Sequence, residues 1–176
     1  MTAQTVPLSA LGRISPAEFT ALLGAVYEHS PWVAERALGL RGPTGFSSRA
    51  EVHASLVASV YAASAEEQRA LLNAHPELAG RETSAGALTA ASLAEQTGAG
   101  LTAMSADDVT RLRDLNARYR ERFGFPFIVA VRNHTQAAIF GSLEARLHNT
   151  PTMEFNNALA QVCEIARLRL FDLIEA

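Results

Sequence analysis

The sequence predicts an all-α fold, a compact single-domain bundle of about seven or eight helices. Several segments begin with a hydroxyl residue followed three positions later by a carboxylate, which is the capping signature of a helix start. Apolar residues then recur at helical spacing, as in Leu56, Val57 and Val60. Half-buried strands produce a sustained alternation of apolar and polar residues, and this pattern is absent from the sequence.

Three segments carry this capping signature: Ser15-Pro16-Ala17-Glu18, Ser64-Ala65-Glu66-Glu67 and Ser105-Ala106-Asp107-Asp108. In each, the hydroxyl is an acceptor for unpaired backbone N–H groups, and the carboxylate lies at the positive end of the helix. Together with the apolar spacing, these starts place helices at 15–24, 31–40, 48–62, 65–73, 84–97, 105–123, 134–148 and 152–175.

Length and composition indicate one ordinary globular domain. A chain of 176 residues is long enough to bury a real core, so we expect a single domain over 1–176, with 1–12 flexible. Apolar residues make up 48% and the net charge is −3, which excludes a disordered chain and gives no basic surface for nucleic acid. No signal sequence or membrane-spanning run is apparent, so we expect a cytoplasmic protein that does not bind membranes.

The common cofactor and metal motifs are absent from the sequence. It contains no phosphate-binding glycine loop, dinucleotide fingerprint, paired Cys or His-Glu-x-x-His motif. No two histidines are four residues apart on a predicted helix, so we expect no metal site; they are His29, His53, His75, His134 and His148. The single cysteine, Cys163, lies in an apolar helical pattern, which favours a buried, inert thiol.

One segment departs from the helical pattern, namely Phe123-Gly124-Phe125-Pro126-Phe127-Ile128-Val129-Ala130-Val131. It is strongly apolar, rich in aromatic and β-branched residues, and interrupted by Gly and Pro, so we expect it to be extended and buried. Such a segment has no strand partners in a helical protein, and its backbone groups must find side chains, water or a ligand. It is therefore either a pocket wall or an apolar plug between helices, and the two interpretations are compatible.

His75 is the most informative histidine because Pro76 follows it. A proline disfavours α-helical dihedral angles in the preceding residue, so His75 is expected at a rigid junction between two helices. It could simply end one helix by capping its last carbonyls. Alternatively, its imidazole could exchange protons at neutral pH.

Two further candidates each have a structural alternative. Ser92 and Glu95 share one face if 90–97 is helical, but Ser92 could equally begin a helix through a capping box. Arg169 lies on the apolar stripe of the last helix, where it could extend to the surface or hold an anion in a pocket. Arg167 lies on the neighbouring stripe, so periodicity alone does not decide between the two arginines.

Three blocks of the sequence are informative together: His75-Pro76-Glu77-Leu78-Ala79-Gly80, Ser92-Leu93-Ala94-Glu95-Gln96, and Phe123 through Val131 with Arg132. In their order and spacing they resemble the family of 2-oxo-4-hydroxy-4-carboxy-5-ureidoimidazoline (OHCU) decarboxylases. The resemblance continues upstream in 27–34 and downstream in 144–147 and 166–170. It covers essentially the whole chain.

The resemblance implies an all-α enzyme, usually a homodimer, that converts OHCU to (S)-allantoin in urate degradation without a cofactor. It implies His75, Glu95 and Arg169 as catalytic residues, with Arg167 kept as an alternative to Arg169. Substrate binding would involve the side chains or backbone of Pro76, Ser92, Glu95, Phe127, Ile128 and Arg169.

This implied reaction is consistent with a site that has no cofactor motif. Most decarboxylases need a cofactor to accept the electron pair left on carbon, whereas this substrate carries a ring C=N bond beside its carboxylate. By resemblance, His75 would exchange a proton with the substrate hydroxyl, Ser92 and Glu95 would fix its N–H groups, and Arg169 would hold its carboxylate.

Without the resemblance, a non-catalytic helical binding module would account for the same patterns. Hydrolysis of the preceding hydroxyisourate is disfavoured because no activated nucleophile is apparent.

Overall fold

The computed structural model describes residues 5–42, 45–79 and 89–175, and within them the fold is helical. The helices are α1 (Pro16–Leu23), α2 (Trp32–Leu38), α3 (Arg49–Tyr61), α4 (Ala65–Asn73), α5 (Ala90–Gly98), α6 (Ala106–Phe123), α7 (Gln136–Arg146) and α8 (Pro151–Leu173). Short 3-10 turns lie at Leu8–Ala10, Leu101–Ala103 and Val131–Asn133. The predicted all-α class is confirmed, and the eight helices of the described residues agree with the predicted seven or eight.

The three predicted helix starts are capped as expected. The Ser15 hydroxyl accepts a hydrogen bond from the Glu18 backbone N–H at 3.3 Å, and the Glu18 carboxylate accepts one from the Ser15 N–H at 2.7 Å. Hydrogen bonds from the Ser15 side chain and backbone lower the pKa of the Glu18 carboxyl. Ser64 and Ser105 likewise accept the backbone N–H three residues ahead, at 3.2 Å and 3.1 Å.

The end of α8 differs from the prediction. The helix was expected to reach 175, but it ends at Leu173, and Ile174–Glu175 forms strand β2. This strand pairs in parallel with β1 (Val6–Pro7). Arg49 also donates hydrogen bonds to the Phe171 and Ile174 carbonyls, at 3.2 Å and 3.1 Å, which satisfies acceptors at the end of the helix.

The start of α5 also differs from the prediction, which placed it at 84. The helix begins at Ala90, with Thr89 as its N-cap. The predicted portion 84–88 lies outside the described residues.

The chain divides into two compact units. The first comprises Met1–Leu71 and Cys163–Ala176, and in it α2 packs against α1 and α3. Cys163 is buried there, and burial raises the pKa of its thiol, which confirms the predicted buried cysteine.

The second unit comprises Leu72–Val162. Within it α6 packs against α7, and α5 packs against the 3-10 turns at Leu101–Ala103 and Val131–Asn133. Gly124 ends α6 with φ 77°, a left-handed conformation that costs glycine little, and it turns the chain into the non-helical segment that follows. Aromatic rings pack here with centroids 4.7–6.2 Å apart; they belong to Tyr119, Phe123, Phe125, Phe127 and Phe155.

The described helices lie within 5–42, 45–79 and 89–175. None of them combines the length and the apolar character needed to cross a bilayer.

Candidate active site

His75 lies in the turn that follows α4. Its backbone N–H donates to the Leu72 carbonyl at 3.2 Å, and the residue is only 7% exposed. The chain therefore leaves the helix at this point, as the following proline predicts. The imidazole belongs to a short turn with restricted backbone freedom, and not to a helix face.

Helix α5 carries Ser92 and Glu95. The Thr89 hydroxyl accepts the Ser92 backbone N–H at 3.2 Å, so the helix begins before Ser92, and the interpretation of Ser92 as a helix start is wrong. Both residues lie inside one helix, three positions apart, and therefore share a face. Ser92 is buried, and Glu95 is half-buried.

Two buried amide side chains hold the loop that continues from His75. Gln96, adjacent to Glu95 on α5, accepts the Ala79 backbone N–H at 3.1 Å. Asn116, on α6, donates to the Leu78 carbonyl at 2.9 Å. The loop that carries His75 is thus hydrogen-bonded directly to the helix that carries Ser92 and Glu95.

The apolar segment after α6 is buried and lies in neither a helix nor a strand at Phe127 and Ile128. Arg146 donates to the Ile128 carbonyl at 2.8 Å, and its guanidinium lies 4.7 Å from the centre of the Phe127 ring. The Gln161 side chain accepts the Ala130 N–H at 2.9 Å. The expectation that side chains would bind these backbone groups is confirmed for Ile128 and Ala130, while the role as a pocket wall stays a prediction.

Arg146 belongs to a buried charged cluster. Its Nε donates to Glu154 at 2.7 Å, and Asn149 and Tyr119 donate to the same carboxylate, Asn149 at 2.7 Å. Burial, and then the hydrogen bond to Glu154, raise the pKa of Tyr119 well above its ordinary value. The phenol is therefore a neutral donor at physiological pH.

Arg169 lies in the first unit, where its side chain is only 8% exposed. Its guanidinium is 2.8 Å from the buried carboxylate of Glu28 and 3.5 Å from the Val26 carbonyl. The alternative that Arg169 extends to the surface is wrong, because its side chain is largely buried and its guanidinium pairs with the buried carboxylate of Glu28. Arg167 is 36% exposed and pairs with Glu164 at 2.7 Å. The two arginines therefore differ in burial, and which of them binds an anion stays a prediction.

Sequence reasoning did not assign roles to Glu28, Gln96, Asn116 and Arg146. Asn116 gave a usable signal, because it is a polar residue on the apolar stripe of α6 that contains Leu112, Leu115 and Tyr119. A polar residue on such a stripe needs a hydrogen-bond partner once it is buried.

The described ranges contain His, Cys, Asp and Glu side chains of the kinds that bind metal ions. No three of them are placed so that they could hold a metal ion.

Comparison with known proteins identifies the family. The chain matches the family model described as OHCU decarboxylase over residues 12–171. It is 42% identical over 163 residues to 2-oxo-4-hydroxy-4-carboxy-5-ureidoimidazoline decarboxylase of Haloferax volcanii, covering 93% of each chain. It is 40% identical over 159 residues to the protein of that name from Mus musculus, covering 90% of this chain and 88% of the relative.

The fold of the chain is also similar to that of a solved structure. The crystal structure of (S)-allantoin synthase aligns with a TM-score of 0.77 and 32% identity, covering 96% of this chain. The chain spans about half the length of that protein, at 54%. From the family match and the two relatives, we conclude that this chain belongs to the OHCU decarboxylase family.

Proposed function

We propose that the protein is a carboxy-lyase that converts OHCU to (S)-allantoin in urate degradation without a cofactor. The observation that carries this proposal is the family match over 12–171, which includes the three sequence blocks around His75, Ser92 and Phe127. The geometry within the second unit supports it, because the His75 loop is bonded to α5 next to Glu95.

In this reaction the substrate itself must accept the electron pair that remains on the ring carbon when carbon dioxide leaves. The bond between the ring carbon and the carboxylate breaks, carbon dioxide leaves, and the electron pair forms a carbon–carbon double bond. The adjacent C=N bond opens, and its nitrogen takes up a proton. The resulting enol-like intermediate loses its hydroxyl proton and gains a proton on the neighbouring ring carbon, which becomes the stereocentre of allantoin.

His75 is the residue that we propose exchanges the hydroxyl proton. An imidazole both gives and accepts protons near neutral pH, which suits a hydroxyl that must be deprotonated as the intermediate collapses. The turn after α4 and the following Pro76 restrict its backbone, so the chain that carries the ring is fixed before substrate binds.

The substrate's N–H groups need acceptors, and we propose that Ser92 and Glu95 supply them. The two residues share one face of α5, and a carboxylate is a strong acceptor for N–H groups. Pro76 would contact the ring, and backbone groups of Phe127 and Ile128 would complete the binding set. The Ile128 carbonyl already accepts one hydrogen bond from Arg146, which fixes its direction.

The overall reaction is tested by the handedness of the product. Freshly prepared OHCU incubated with the protein should give (S)-allantoin, with a circular dichroism signal that grows in proportion to enzyme concentration. Spontaneous decay gives racemic allantoin, which has no such signal. A protein that binds OHCU without changing its rate of decay would be a binding module, and the proposal would be wrong.

The anion ligand is tested by comparing the two arginines. We expect Arg169→Met to raise KM by about ten- to a hundredfold, because a buried charge-assisted hydrogen bond to a carboxylate contributes about 1.5–3 kcal/mol. Arg167→Met should change KM by less than about threefold, since that side chain is exposed. Because Arg169→Met also removes the partner of the buried Glu28 carboxylate, thermal melting first establishes that both variants fold. Steady-state kinetics then provides the measurement, and the reverse order of effects would transfer the role to Arg167.

We further propose a cytoplasmic homodimer, by likeness to the family. Light scattering of the purified protein should give twice the mass of one chain. A mass that stays at one chain at the highest concentration measured would contradict this part of the proposal.

A further inference from the structure

We propose that Asn116 is a positioning residue for His75, acting through the carbonyl of Leu78. The inference rests on the proposed catalytic role of His75. It concerns only contacts within the second unit, between α6 and the loop that follows α4.

The loop after His75 needs to be held by its surroundings. The Pro76 ring restricts the backbone beside His75, but Glu77, Leu78 and Ala79 have no helical hydrogen bonds. Ala79 has a φ of 50°, a left-handed conformation that residues with a Cβ adopt only when neighbouring groups favour it. The position of the imidazole therefore depends on contacts made from outside the loop.

Asn116 makes one of these contacts from a buried position. The residue is 3% exposed, and its Nδ2 lies 2.9 Å from the Leu78 carbonyl oxygen. A hydrogen bond removed from water is directional, and losing the donor leaves the buried carbonyl without this partner. The loop would then shift to find another donor, and His75, three residues away, would move with it.

Two other side chains contact the same loop, and they differ in exposure, since Gln96 is buried and Arg120 is exposed. Gln96 accepts the Ala79 N–H from α5, so α5 and α6 hold consecutive loop residues. Arg120, one turn after Asn116 on α6, pairs with Glu77 at 2.6 Å, but its side chain is 46% exposed. Exposed ion pairs contribute little, so Arg120 provides a matched control on the same helix and the same loop.

The expected kinetic effect follows from the precision that proton transfer needs. A displacement of about 1 Å at the reacting group can cost a hundredfold in rate. Asn116→Leu keeps the size of the side chain and removes its donor. We expect it to lower kcat by about ten- to a hundredfold and to leave KM within about threefold. Arg120→Ala should leave kcat within about twofold.

The test separates positioning from a general structural role in two ways. Asn116→Leu is combined with His75→Gln, and single-turnover rates are compared with the His75→Gln parent. If Asn116 acts through His75, the second substitution should cost less than about twofold in that background. In addition, NMR of the imidazole ring of His75 should show shifted resonances in Asn116→Leu and unshifted ones in Arg120→Ala.

Several results would overturn the inference. These are an equal loss of rate in both backgrounds, an unchanged kcat in folded Asn116→Leu, or His75 resonances that coincide with those of the parent. Asn116→Ala is measured in parallel, and failure of both variants to fold would show a role in folding instead of positioning. A parental rate in His75→Gln alone would refute the proposed role of His75, which is a separate failure.

Discussion

Replacing His75 with Gln is expected to lower kcat by about 10²–10⁴-fold, the range contributed by a positioned general acid–base group. Gln is similar in size and retains hydrogen-bonding groups, but it cannot exchange a proton at neutral pH. The hydroxyl proton of the substrate would then have no protein group to receive it. Initial rates of carbon dioxide release, with circular dichroism of the product, provide the measurement.

The control for this substitution is His148→Gln. His148 is exposed, just after α7, and should tolerate Gln with kcat within about twofold. Thermal melting of both variants establishes that they fold. Parental turnover by folded His75→Gln would remove His75 from the mechanism and would leave the acid–base group to be sought elsewhere.

Most of the fold was predictable because the signals for helices are local. Ser15, Ser64 and Ser105 cap the helices that they were expected to begin, since a cap and its partner are only three residues apart. The end of α8 was wrong for the opposite reason. Ile174 leaves the helix to pair with Val6, which lies near the other end of the chain, and no local pattern carries that information.

The candidate site was less predictable from the sequence than the fold. The sequence blocks, by their resemblance to a family, named His75, Ser92 and Glu95, and the structure resolved whether Ser92 begins or lies within its helix. The sequence did not indicate the contacts of Asn116 or Arg146, because each contact joins a helix to a different element of the fold. Periodicity also left Arg167 and Arg169 open. The structure shows that Arg169 is paired with the buried Glu28 while Arg167 is more exposed, and the kinetics of the two Met variants would decide which one binds the anion.

Arg146→Met is expected to destabilise the fold by about 3–5 kcal/mol, because it removes one partner of a buried ion pair. The Glu154 side chain is fully buried, so its carboxylate would keep only Tyr119 and Asn149 as donors. The Ile128 carbonyl would lose its guanidinium donor as well. For a chain of this size, the melting temperature should fall by about 6–20 °C, as measured by calorimetry.

A matched control lies on the same helix, two residues earlier. Glu144 pairs with Arg111 at 2.5 Å, but both side chains are about half exposed. Glu144→Ala should therefore cost no more than about 1 kcal/mol, or at most about 4 °C. Equal losses in the two variants would contradict the view that burial, and not the number of ion pairs, determines their contribution to stability.

The double variant Arg146→Met/Glu154→Gln separates the cost of an unpaired charge from the loss of attraction. If the isolated carboxylate dominates, neutralising Glu154 should restore part of the stability lost in Arg146→Met. The Tyr119 hydroxyl is a neutral donor at physiological pH. It could therefore still donate to the side-chain carbonyl oxygen of Gln at position 154. A double variant less stable than Arg146→Met by the full cost of Glu154→Gln alone would instead mean that the two side chains contribute independently.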